Sequence, residues 1–110
     1  MEFALSEEQE ILSESVRKML EDNIDIDLLR NHSKGDDVIR GNIRQLVVEM
    51  GLPGILIPEE FGGSGLGVLE AALIAEEFGR YAVPTPWIGN SVMAPICLLY
   101  TSDAADDTLC

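Results

Sequence analysis

The sequence predicts an all-α fold, a small helical bundle of about four helices with a Gly/Pro-rich loop in its middle. Three observations carry this. Apolar residues recur at helical spacing in three separate stretches, a capping signal opens the first, and glycine follows the last apolar residue of the other two. The first stretch begins at Ser6, followed by Glu7, Glu8 and Gln9. This is a capping box: the Ser6 hydroxyl accepts from the Gln9 backbone N–H, and the Gln9 side chain reaches back. Two glutamates in the first turn complement the helix dipole. Leu12, Val16, Met19 and Leu20 then share one face, with Glu10, Glu14, Arg17, Lys18 and Glu21 off it.

Residues 22–36 are less regular. Ile24, Ile26, Leu28 and Leu29 supply apolar contacts on a short helix, and Asn31–Asp37 reads as a polar loop around Gly35. A second long helix is predicted from Asp37 to Met50, burying Ile39, Ile43, Leu46, Val47 and Met50, with Gly51 at the C′ position. The 17 residues Gly51–Gly67 hold two prolines and six glycines, too many for a helix. Ile55–Ile57 is expected to cross the core there as a short extended segment. A third helix follows over Val68–Phe78, with Ala71, Ile74, Ala75 and Phe78 inward, Glu70, Glu76 and Glu77 outward, and Gly79 as its stop. Leu69 and Leu73 among the glutamates suggest cover on a second side. Pro84 and Pro86 form a rigid link, and a fourth helix starts near Trp87 and includes Val92, Met93 and Ile96.

Composition narrows the function classes. The 110 residues carry 20 acidic and 7 basic side chains, a net charge of −13 with the one histidine neutral. Nucleic acid needs clustered Lys and Arg to displace counterions from phosphates, so it is disfavoured, as is an anionic membrane surface. No stretch approaches the roughly 20 apolar residues of a spanning helix. The N-terminus has neither the basic nor the apolar region of a secretory signal. A cytoplasmic protein is expected. With 46% hydrophobic residues the chain has material for one core, and with 5% aromatics that core rests on Leu, Ile, Val, Met and Ala. Cys97 and Cys110 read as free thiols, and no Cys/His cluster has metal-ligand spacing.

Four places offer candidate chemistry. The cluster Gly62–Gly67 fails the dinucleotide fingerprint, because the sixth position from Gly63 is Val68 and from Gly65 is Glu70. It also fails the nucleophile elbow, since the residue two after Ser64 is Leu66. A tight turn that brings a helix close to the preceding segment fits better. Glu59–Glu60 and Glu76–Glu77 are adjacent pairs, about 100° apart on a helix, and do not share a substrate proton easily. His32 stands alone in a polar loop. Trp87 either stacks on a flat cofactor or anchors packing, the second being the commoner role at a helix start. No residue by itself argues for catalysis.

The arrangement as a whole resembles the N-terminal helical domain of the acyl-CoA dehydrogenases. Leu5-Ser-Glu-Glu-Gln9, the run from Met50 through Ile-Pro-Glu-Glu-Phe-Gly-Gly-Ser-Gly-Leu-Gly67, Ala75-Glu-Glu-Phe-Gly-Arg80 and Gly89-Asn-Ser-Val-Met-Ala-Pro-Ile96 carry the resemblance. It covers residues 1–96 in unbroken order. It implies an FAD enzyme that desaturates an acyl-CoA thioester between Cα and Cβ. A glutamate is the general base, the flavin takes the hydride, and electrons leave to an electron-transfer flavoprotein, usually from an oligomer. The base and most flavin contacts belong to parts of the family outside this domain, so FAD is not expected to be held by these 110 residues and no catalytic residue is assigned. The resemblance places Thr85, Ile88, Gly89 and Val92 where the wall of the acyl channel is built. All four are apolar, small or hydroxylic, and they suit plain core equally well.

Two further expectations follow. From Cys97 to Asp106 the residues are those encoded by TGT CTC TTA TAC ACA TCT GAC GCT GCC GAC, which resembles a common transposase-adapter sequence. The chain is therefore expected to divide into an incomplete dehydrogenase-like domain, residues 1–96, and a non-native tail, residues 97–110, in which Ser102 would otherwise cap a short helix. A bundle without its partner surfaces is also expected to expose apolar area. The alternative function is a stand-alone acidic helical module that binds a protein through an apolar helix face.

Overall fold

The computed structural model describes residues 3–104, the last four of them as backbone only. Five α-helices form within it: α1 (Glu7–Asn23), α2 (Ile26–Ser33), α3 (Val38–Glu49), α4 (Val68–Arg80) and α5 (Ala94–Ala104). No strand occurs among the described residues. The capping box forms as expected: Gln9 N–H donates to Ser6 Oγ at 3.2 Å, and Ser6 N–H donates to Gln9 Oε1 at 2.9 Å. The short α2 makes five helices of the expected four. Asp25 caps it by accepting from the Leu28 N–H at 2.8 Å.

The core collects Val16, Leu20 and Ile24 after α1's first turns, Ile39, Ile43 and Val47 of α3, Leu52 and Ile55 of the loop, Ala71, Ile74 and Phe78 of α4, and Trp87. α1 and α4 are its central pair, and they run parallel. Gln9 meets Glu70 near one end (Nε2 to Oε1, 3.2 Å) and Arg17 meets Glu77 two turns further along both helices. A parallel pair needs a long return path, which α2, α3 and the glycine loop supply.

The loop departs from expectation at Ile55–Ile57. Ile55 is buried as predicted, but its backbone is helical (φ −58°, ψ −38°), and the segment is a chain of tight turns. Ile55 N–H donates to Leu52 O and Ile57 N–H to Gly54 O. An extended strand there would find no neighbouring strand to satisfy its buried amides, whereas successive turns satisfy them locally. Gly51 closes α3 in the left-handed region, φ +72°, the position predicted for it.

α4 ends later than the glycine signal implied. It passes through Gly79 to Arg80 and closes in a Schellman arrangement, with Ala82 N–H donating to Gly79 O and Val83 N–H to Phe78 O. Ala82, three residues beyond the expected stop at Gly79, takes the left-handed conformation, φ +50°. An alanine there costs about 1 kcal/mol. The fourth predicted helix begins at Trp87 but opens as a π-helical turn over Ile88–Met93, in which Ala94 N–H donates back to Gly89 O. Pro95 has no N–H to continue an α ladder, and the wider turn precedes it.

Much apolar surface is left outside, as expected of a bundle lacking partner surfaces. Phe61, Val68, Met93 and Leu98 are all more than 60% exposed. The molecule is 21 Å along its shortest axis, about two helix diameters. Cys97 is an exposed free thiol, while Cys110 lies outside the described residues. The backbone stays helical to Ala104, so α5 does not break at Ile96.

Candidate functional site

Two ion and hydrogen-bond clusters hold α4 against α1, and each starts from residues that flank an apolar stripe. Glu77 precedes Phe78, and Arg17 follows Val16. Glu77 was expected to face outward and is instead buried, 2% exposed. The Arg17 guanidinium grips it through two of its nitrogens, Nη2 to Oε1 at 2.8 Å and Nε to Oε2 at 3.2 Å, and Arg80 Nε approaches Oε2 at 3.3 Å. A carboxylate next to the apolar stripe can be buried when a bidentate arginine arrives with it. No local pattern signals a partner 60 residues away. At the helix start, Glu70 accepts from the Gly67 N–H (3.0 Å) and from the Gln9 amide. That amide, ahead of the backbone donors, holds the Glu70 carboxyl below its ordinary value. The Arg17 hydrogen bonds do the same for Glu77, against the cost of burial.

Both groups thus release their protons more readily folded than unfolded. Their stabilisation is complete above the unfolded glutamate value of 4.5 and disappears as pH falls through the lower folded values. With 20 acidic groups, protonation also relieves repulsion, which acts in the opposite sense. The informative quantity is therefore a difference. Urea unfolding of wild type and Arg17→Gln from pH 7 to pH 3 is expected to give a stability gap that is constant above about pH 5 and closes below it. A gap that widens on acidification would contradict this pairing.

The glycine loop is a structural clasp. Ser64, Gly65 and Leu66 N–H groups donate to Gly54, Ile57 and Ile55 carbonyls at 3.0, 2.8 and 2.9 Å. These amides are therefore spent within the loop and offer no cradle for a pyrophosphate. Residues 62–67 do not fit the phosphates of a flavin dinucleotide, and Glu59 lies against Gly65. Glu59 and Glu60 are exposed and His32 is half-buried, its Nδ1 3.1 Å from the Asp36 carbonyl. No group of three or more metal-ligating side chains gathers among the described residues.

The residues expected to wall a channel are brought partly together. A groove of about 380 Å³ runs between the end of α4 and the π turn. Thr85, Ile88 and Gly89 line it beside Phe78, Val83 and Trp87. Ile88 is 55% exposed. Val92 does not reach this groove; it packs half-buried against the core. Trp87 settles on its packing role: 5% exposed, it meets the Phe78 ring edge to face, centroids 5.3 Å apart. Sequence reasoning missed a larger groove of about 750 Å³ on the other side of Trp87, where α3 faces the 84–91 segment.

Comparison with known proteins decides the family. The family model described as "Acyl-CoA dehydrogenase, N-terminal domain" matches residues 6–109. The chain belongs to the acyl-CoA dehydrogenase family. Acyl-CoA dehydrogenase IpdE2 of Mycolicibacterium smegmatis is 36% identical over 96 residues, 86% of this chain and 30% of that protein. Acryloyl-CoA reductase (NADH) of Anaerotignum propionicum is 38% identical over 80 residues, 73% of this chain and 20% of the reductase. Mitochondrial isovaleryl-CoA dehydrogenase of Pongo abelii is 35% identical over 83 residues, 69% and 18% of the two chains. The chain therefore spans less than a third of the length of these dehydrogenase-family relatives. No solved structure matches. The family's N-terminal domain and its all-α character are thereby fixed for this chain, and the family match, like α5, continues past Ile96.

Proposed function

We propose that these residues are the opening helical domain of an FAD-dependent enzyme that desaturates an acyl-CoA thioester between Cα and Cβ. In this reading Thr85, Ile88, Gly89 and Val92 contribute channel wall and its backing, and the exposed apolar residues pack against the rest of the enzyme. The chain by itself is inactive and holds no flavin. The observation that carries the reading is the family match over 6–109. The groove that gathers Thr85, Ile88 and Gly89 supports the channel assignment, since its described lining carries no charged side chain. Low compactness supports the packing assignment: the radius of gyration is 15.9 Å, against about 13 Å for a free-standing domain of this length. Reduction in the relative named acryloyl-CoA reductase makes the direction of catalysis part of the proposal. Transfer of electrons to an electron-transfer flavoprotein, an oligomeric enzyme and a cytoplasmic site complete it. No described helix is long and apolar enough to cross a membrane.

The coding locus tests this. Read past the codon for Ile96, the frame is expected to continue into a β domain and a second helical bundle, with DNA foreign to the gene encoding residues 97–110. The enzyme expressed from that locus should bleach its flavin with a saturated acyl-CoA, and Ile88→Asp should lower kcat/KM about tenfold or more by placing a charge on an apolar wall. A frame that ends at Cys110, or an Ile88→Asp enzyme with unchanged kcat/KM for every acyl length, would overturn the desaturase and channel assignments respectively.

A further inference from the structure

The larger groove has a composition unlike the rest of the molecule. Arg40 and Arg44, one turn apart on α3, line it together, and no acidic side chain does. Neither arginine makes an ion pair among the described residues, whereas Arg17, Arg30 and Arg80 all do. In a chain of net charge −13 this is a local reversal of sign. Two cations at i and i+4 repel one another, and an anion between them removes that repulsion. Most of the remaining lining is apolar, from Val47, Val48, Pro53, Pro84, Pro86 and Trp87, and the 84–91 segment adds the uncharged polar Thr85, Asn90 and Ser91. Trp87 Nε1 is buried with no hydrogen-bond partner among the described residues. Native interiors seldom leave such a donor unpaired.

We propose that this groove binds an amphiphilic organic anion, its carboxylate or phosphate head held by Arg40 and Arg44 and its apolar body laid along the prolines and the indole. Guanidinium forks match either head in geometry, and about 750 Å³ lies within the range of small-molecule sites. The site is separate from the channel wall proposed above. Thr85, Pro86 and Trp87 border both grooves, but the arginines line only this one.

Trp87 is the sole tryptophan, so its fluorescence reports the groove directly. The intact chain would be titrated with octanoate, octyl phosphate, octanol and inorganic phosphate. At least one of the two octyl anions is expected to saturate, about tenfold or more tighter than octanol and inorganic phosphate, with affinity falling as salt rises. Arg40→Gln/Arg44→Gln should lose about tenfold or more in affinity at unchanged circular dichroism and melting temperature, and Arg40→Lys/Arg44→Lys should keep most of it. Which octyl anion binds identifies the head. Octanol binding as tightly as both anions, inorganic phosphate binding as tightly alone, or an unchanged Gln variant would each overturn the proposal. So would a concentration-dependent dimer abolished by the Gln variant while no octyl anion binds, because the groove would then hold an acidic segment of a second copy.

Discussion

Ile74→Ala is expected to cost about 3–4 kcal/mol of folding stability, a loss typical of truncating a fully buried isoleucine. Ile74 is fully buried in α4, in the same core as Val16 and Leu20 of α1, both also without exposure. Truncation to alanine removes three buried carbons and leaves a void that neighbours fill only in part, so transfer and cavity costs add. A chain of this length is stable by about 5–15 kcal/mol at most, and less where partner surfaces are absent, so the variant should be substantially unfolded at 37 °C. Urea unfolding read by Trp87 fluorescence measures this. Leu69→Ala on the same helix, at a residue 51% exposed, is the control and should move stability by less than about 0.5 kcal/mol. Equal losses in the two variants would mean that the bundle core is not where these contacts place it.

The contrast between Ile74 and Leu69 also marks what was legible in the sequence. Signals that act within a few residues survived into the structure: the Ser6–Gln9 capping box, the Gly51 stop, and the apolar stripes of α1, α3 and α4, save that Met50 at the end of the α3 stripe is exposed. Signals whose outcome is set by distant chain did not. Gly79 is a helix stop only if the next turn cannot form, and Val83 instead reaches back to Phe78, shifting the left-handed residue to Ala82. Glu77 looks like one solvated glutamate among three until Arg17 arrives from α1. The candidate site divides in the same way. Thr85, Ile88 and Gly89 are close in sequence and meet at one groove. The larger groove takes its charge from α3, part of its apolar wall from the loop and its indole from Trp87. Segments that lie on either side of α4 in the sequence cannot be read as one surface from spacing alone.

The glycine loop supplies the second large effect, and it reverses sign within one residue type. Gly63→Ala is expected to destabilise by about 2–3 kcal/mol, because a Cβ there would overlap the Ile57 carbonyl, a backbone atom that cannot rotate away. Relieving the overlap means lifting residues 63–66 from the 54–57 turns, and with them the three backbone hydrogen bonds that tie the loop. Gly41→Ala, by contrast, should stabilise by about 0.5–1 kcal/mol. Gly41 lies inside α3, is exposed, and a Cβ there meets nothing within 4 Å. Thermal unfolding of the two single variants and the double variant decides the matter. The sites share no neighbour, so the changes should add to within about 0.5 kcal/mol. If Gly63→Ala were as harmless as Gly41→Ala, the clasp would be loose and its amides free for a ligand; a loss confined to Gly63→Ala means the double glycine is fixed by packing against Ile57 rather than by binding.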